Sequence, residues 1–166
     1  MGFDPAAESG DFFTYLVNTH ACIEERLKEM ERATAKVNAA GPGDADIQAI
    51  AGVLDFFSGA GARHQDDEEL TLFPRLRPHQ AFAQILNALE VQHQMCNEAQ
   101  RNLAGLVGQF SPGDGKRLDA FASRFAEMQR GHMIAEERAL FPLAARTLSR
   151  TAIAEMTAEM RERPSR

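Results

Sequence analysis

Cysteine and tryptophan are nearly absent from this sequence. Its 166 residues include two cysteines, Cys22 and Cys96, and no tryptophan. The cysteines stand far apart and form no C-x-x-C pair. That excludes a disulfide framework and a thiolate zinc site, and it fits a reducing compartment. A positive excess is missing too: 18 Lys and Arg against 24 Asp and Glu leave a formal charge of −6. Nucleic acid and anionic lipid both require a basic face, so neither is expected as the main partner. No apolar run approaches the ~20 residues needed to cross a bilayer. The opening Met1-Gly2-Phe3-Asp4-Pro5-Ala6-Ala7-Glu8 is acidic, with no basic stretch leading into an apolar one. No signal peptide is read there, and Ala6 stands where a myristoylation signal wants Ser or Thr. The expected address is the cytoplasm.

The remaining composition, 44% hydrophobic and 25% charged, is that of a globular chain. Its length suits one domain over 1–166 with a core of its own. Breakers are few and evenly placed: Gly41-Pro42-Gly43, the pair Pro74 and Pro78, Ser111-Pro112-Gly113-Asp114-Gly115, and Pro142. Between them lie four long segments, roughly 10–39, 44–73, 80–110 and 114–146. Each is too long for a strand and rich in helix formers.

Periodicity makes these segments amphipathic helices. Phe13, Leu16, His20, Ile23, Leu27, Met30, Thr34 and Val37 step by three and four through the first. Ile47, Ile50, Leu54, Phe57, Gly61, His64 and Glu68 do so in the second. The third carries Phe82, Leu86, Leu89, His93, Cys96, Gln100, Leu103, Val107 and Phe110, and the fourth Leu118, Phe121, Phe125, Met128, His132, Glu136 and Leu140. Four such helices with short connections predict an all-α, up-down-up-down four-helix bundle with its core at about 10–146. A short fifth helix around 149–162 has no strong apolar face, and the tail Arg161–Arg166 reads as a solvated end.

The apolar stripes are interrupted by histidine. One histidine falls on the buried face of every helix: His20, His64, His93 and His132. His79 lies in a break and belongs to no stripe. Glu68 and Glu136 also fall on the stripe, each four residues after a histidine, so both members of each pair can reach one centre. Burying four imidazoles and two carboxylates is costly unless something pairs with them, and metal satisfies all six. One such histidine would read as a hydrogen-bonded core residue; one on each of four helices reads as a site.

The segments His64-x-x-x-Glu68-Glu69-x-x-Leu72-Phe73-Pro74 and His132-x-x-x-Glu136-Glu137-x-x-Leu140-Phe141-Pro142 repeat one pattern. Each follows a helix with its own histidine, so the chain reads as two helix hairpins related by a pseudo-twofold axis. Two half-sites would then face each other, and two metal ions bridged by two carboxylates are their natural content. Glu69 and Glu137 turn about 100° away from the stripe. A solvated face or an acceptor for an imidazole N–H is expected of them. The Leu-Phe-Pro tails are read as structural, with proline disfavouring helix before it. Histidine nitrogen with carboxylate oxygen suits iron, manganese or zinc, and two bridging carboxylates favour a redox-active iron pair. Cys22 and Cys96 are read as small core residues.

Taken together, His20, His64-x-x-x-Glu68, His93, His132-x-x-x-Glu136 and both Glu-Glu-x-x-Leu-Phe-Pro tails resemble the hemerythrin-like, or HHE cation-binding, family over roughly 12–146. The resemblance implies a left-handed four-helix bundle around a non-haem di-iron centre with an oxo or hydroxo bridge. It places His20 and His64 on one iron, His93 and His132 on the other, and Glu68 and Glu136 between them. It implies binding or sensing of dioxygen, or iron handling. One departure stands out: oxygen-carrying hemerythrins have a further histidine one turn after the third-helix histidine, and here that position is Asn97. An open position on both ions leaves room for peroxide, nitric oxide, water or an extra carboxylate, with Glu24 and Glu90 within reach.

Two functional readings stand beside each other. The first is a protein that binds or senses dioxygen or another small diatomic or peroxide ligand. The second is a di-iron enzyme that reduces peroxide or nitric oxide or oxidises ferrous iron. A single tyrosine, Tyr15, and no tryptophan offer little for electron relay, which tips the balance to binding. A ferritin-like carboxylate site needs Glu-x-x-His on two helices. Only Glu90-Val91-Gln92-His93 fits; Val17, Gly61 and Gln129 occupy the other three positions.

Overall fold

The computed structural model describes residues 10–164; the acidic opening read for targeting signals lies outside the described residues, as do Ser165 and Arg166. The chain forms an all-helical bundle of five rods, and no strand occurs among the described residues. Helix α1 is Phe12–Ala40. The Asp11 carboxylate caps it by accepting the Thr14 N–H at 3.0 Å. It ends at Gly41, whose φ of 84° is the one positive φ among the described residues. Helix α2 covers 44–76, α3 is Ala83–Gly108, α4 covers 115–147 and α5 is Arg150–Glu162. A capping box of Ser111 and Asp114 starts the turn into α4.

The rods are not uniform. Wider π turns occur at Phe57–Gly61 and Glu68–Leu72 in α2, and at Glu136–Leu140 in α4. Two of them coincide with the repeated Glu-Glu-x-x-Leu. They correct the expectation that the second helix ends before Pro74: Pro74 and Pro142 each sit in the first turn after a π turn, and the helices run on to 76 and 147. Proline clashes with the carbonyl four residues back only where the ladder is tight, and the π turn loosens it there.

Two apolar clusters fill the bundle, one on each side of the histidines. The first joins Ile23 to Val37 of α1 with Ile50, Leu54, Phe57, Leu103, Leu118 and Phe125. The second joins Phe12 to Leu16 with Leu72, Phe73, Phe82, Leu86, Leu140 and Phe141. Helices α1 and α3 run from the second cluster to the first, and α2 and α4 from the first to the second. Each fully buried large side chain contributes roughly 1.5–3 kcal/mol.

On α4 the buried face differs from the predicted stripe. Phe121 is exposed, lying under the Arg117 guanidinium, while Ala122 and Ala126 are fully buried. Small residues bring α4 close to α1: a Cβ on Gly115 would stand 3.0 Å from the Val37 carbonyl oxygen. Helix α5 corrects two further expectations. Met156 and Met160 give it a buried face inside the second cluster. Arg163, read as part of a solvated tail, instead reaches inward. Its Nε donates to Asp67 Oδ1 at 2.7 Å, and a terminal nitrogen donates to Thr71 Oγ1 at 2.7 Å. No described helix is long and apolar enough to cross a membrane.

Candidate metal centre

Between the two clusters the four helices present six buried polar side chains to one another. His20, His64, His93 and His132 are 3–5% exposed, and Glu68 and Glu136 are fully buried. The two-hairpin pattern places them: α1 and α2 supply His20, His64 and Glu68, and α3 and α4 supply His93, His132 and Glu136. His20 Nε2 faces His64 Nε2 at 3.0 Å, and His93 Nε2 faces His132 Nε2 at 2.9 Å.

Each carboxylate spans both histidine pairs. Glu68 turns Oε1 to His64 Nε2 and Oε2 to His93 Nε2, each at 3.2 Å. Glu136 turns Oε1 to His132 Nε2 at 3.2 Å and Oε2 to His20 Nε2 at 3.3 Å. The six residues thus form two groups, His20-His64-Glu68-Glu136 and Glu68-His93-His132-Glu136, with ligand atoms within 4.8 Å of one another in each. All four carboxylate oxygens are buried without a hydrogen bond. Four anionic oxygens converging with four imidazole nitrogens are a cradle for cations, and the residues present fit metal binding.

The electrostatics follow from this crowding. Burial opposes the cation on His20, His64 and His93. At His20 the Glu136 and Glu68 carboxylates outweigh it and raise the pKa. At His93 the Glu68 and Glu69 carboxylates outweigh it and take the pKa to about 10. At His64 burial prevails, taking the pKa down to about 3. Burial would raise the Glu136 pKa, but His132 and His20 hold it down at about 2.

The repeated motifs also orient the ligands, each across the hairpins. Glu69, on α2, accepts from His93 Nδ1 at 2.7 Å, and Glu137, on α4, accepts from His20 Nδ1 at 2.8 Å. Of the two roles expected for these glutamates, this is the imidazole acceptor. The Leu-Phe-Pro tails do more than cap the core. Phe73 stacks on the His93 ring at 6.0 Å and Phe141 on the His20 ring at 5.7 Å. One π turn therefore carries a facing carboxylate, an acceptor for the opposite histidine and the ring that packs on it. Gln92 accepts from His132 Nδ1 at 3.1 Å, and Gln65 donates to Glu69 at 2.9 Å. Sequence reasoning missed both glutamines, which lie off the stripe and at positions the repeat does not share. The roles of Phe73 and Phe141 were readable from their recurrence.

The two extra carboxylates proposed as ligands are engaged elsewhere. Glu24 pairs with Arg130 at 2.9 Å, and Glu90 pairs with Arg77. Asn97, by contrast, lines a cavity of about 30 Å³ beside His64, His93 and His132, with Ile23, Phe57 and Cys96 among its other walls. Burial pushes the Cys96 thiol up to about 11, so it stays protonated in that wall. Cys22 is half-buried, and neither cysteine is in a disulfide. His79 stays outside the site, its ring edge-on to Phe82.

The fold and the site together define a helical-bundle protein with a buried histidine–carboxylate metal cradle. The chain belongs to the hemerythrin family: residues 11–144 match the hemerythrin HHE cation-binding domain. None of the curated proteins matches it.

Proposed function

We propose that this protein holds two iron ions between His20, His64, Glu68, His93, His132 and Glu136 and uses them to bind or sense dioxygen or a ligand of similar size, such as nitric oxide or peroxide. The observation that carries this reading is the pair of buried carboxylates, each divided between two histidine pairs and without a well-aligned hydrogen bond. A monodentate cation at one pair would leave the far oxygens orphaned; one cation at each pair uses all four. Oxygen and imidazole donors without thiolate suit iron, which would supply the redox and Lewis-acid chemistry. The cavity beside three of the histidines supports a small ligand, since about 30 Å³ holds one or two water-sized molecules. The order in which the long helices cross the two apolar clusters supports an up-down-up-down arrangement of the four. A cytoplasmic address belongs to the same proposal, with no nucleic acid or membrane as partner.

Turnover is the second reading. It is favoured by the amides of Asn97 and Gln129 in the cavity wall, which offer N–H donors to a peroxide. Anaerobic loading with ferrous iron, elemental analysis and optical spectra under cycles of argon and air test both. Two irons per chain with a spectrum that reverses under argon support binding. Two irons with ligand consumption support turnover. A folded protein that takes up no metal overturns the proposal.

A further inference from the structure

The pseudo-twofold axis relates the two halves of the site but does not make them equal. Three of the four imidazoles have a protein acceptor at Nδ1: His20 has Glu137, His93 has Glu69 and His132 has Gln92. His64 Nδ1 is buried and has no partner among the described residues. The repeat explains why. Gln92 immediately precedes His93 on α3 and reaches across to His132 on α4. Its counterpart, immediately preceding His20 on α1, is Thr19, whose shorter hydroxyl donates to the Tyr15 carbonyl at 3.0 Å. A second asymmetry points the same way. Gln65 supports Glu69, and its counterpart after His132 is Met133, which has no amide to offer Glu137.

The difference matters when an ion binds. A neutral imidazole that coordinates through Nε2 must carry its proton on Nδ1. In the arrangement seen, Nδ1 of His20 and His93 faces a carboxylate and Nδ1 of His132 faces the Gln92 side-chain oxygen, each an acceptor for that proton. At His132 the Gln92 oxygen is in place to accept that N–H. At His64 the same proton is a buried N–H with no protein acceptor among the described residues, a cost that coordination through Nε2 imposes.

Resting on the metal reading above, we propose that the two positions are inequivalent: an ion at His93 and His132 binds first and more tightly, and Gln92 is the positioning residue that makes it so. Outer partners of this kind alter metal affinity by roughly 10–100-fold. The protein then has a singly loaded state over an interval of metal concentration, with the His20–His64 position filling last.

Anaerobic calorimetric titration of the metal-free protein with Co²⁺ tests this, read as two stepwise affinities. Repulsion between the ions separates the steps even for equal positions, so the decisive comparison is Gln92→Leu. If the positions were equal, the first ion would take the unaltered one and the first step would stay as it was. On this proposal Gln92→Leu weakens the first step by about 10–100-fold, and Gln92→Glu, which keeps an acceptor, retains most of it. Circular dichroism of the metal-free variants checks that both are folded, and recovery of the first step in Gln92→Glu separates a lost acceptor from a lost fold. A first step unchanged in Gln92→Leu overturns the inequivalence and leaves the metal reading intact. Absence of Co²⁺ binding by the parent chain overturns both.

Discussion

At the scale of the residue, the two glutamates of each Glu-Glu pair have separate tasks. Glu68 is fully buried and presents both oxygens to imidazoles, whereas Glu69 is about one-third exposed and holds one of those imidazoles in place. Glu68→Gln should therefore abolish retention of one full complement of metal. Glu69→Gln should weaken it by roughly 10–100-fold without abolishing it. Metal content after dialysis against a graded chelator measures both, and equal losses would contradict the assignment. Asn97 stands one turn after His93 and lines the cavity, so Asn97→His would bring a fifth imidazole to the site. The expected outcome is slower loss of metal to chelator and weaker binding of azide, which competes for the same space. Unchanged values for both would place the residue 97 side chain out of reach.

At the scale of the element, close packing and the end of α5 carry the consequences. Gly115 faces the α1 backbone, so Gly115→Ala must push the two helices apart or strain the contact. A loss of about 1–3 kcal/mol is expected by denaturant unfolding. Arg163 pairs with Asp67, a fully buried carboxylate next in sequence to Glu68. Burial raises the Asp67 pKa and the Arg163 guanidinium opposes that rise. Arg163→Ala leaves the carboxylate without its cation and should cost about 3 kcal/mol, at the low end for such pairs because the arginine is partly exposed. Thermal unfolding with and without the substitution measures it. Helix existence and order were legible in the sequence, since stripes of three-and-four spacing run uninterrupted through each segment. The π turns were not, because a single extra residue in a turn leaves the spacing of apolar residues almost unchanged. Nor was the buried face of α4, where the contact is made by Ala122 and Ala126 and not by the large apolar Phe121.

At the scale of the whole molecule, the site is a polar layer between two apolar clusters, and its four unsatisfied carboxylate oxygens weaken the metal-free fold. Metal should stabilise the protein by mass action, by about 2.7 kcal/mol at a free concentration a hundred times its dissociation constant. A melting temperature that rises with added metal and falls back with chelator is the expected result; one indifferent to both would contradict a metal layer.

The six converging residues were determined by the sequence alone. Helical periodicity fixes which face a residue occupies, and four histidines on four buried faces have nowhere to go but the centre. The repeat likewise determined that the site has two related halves. Only the tertiary structure decided how the ligands are held, because Glu69 to His93, Glu137 to His20, Phe73 on His93 and Gln92 to His132 all join different helices. Such contacts depend on the distance and rotation between helices, which no spacing along one chain segment encodes. The same reason hid the unpartnered Nδ1 of His64: a missing acceptor is a property of the neighbouring helix, where a threonine stands and a longer side chain would have reached.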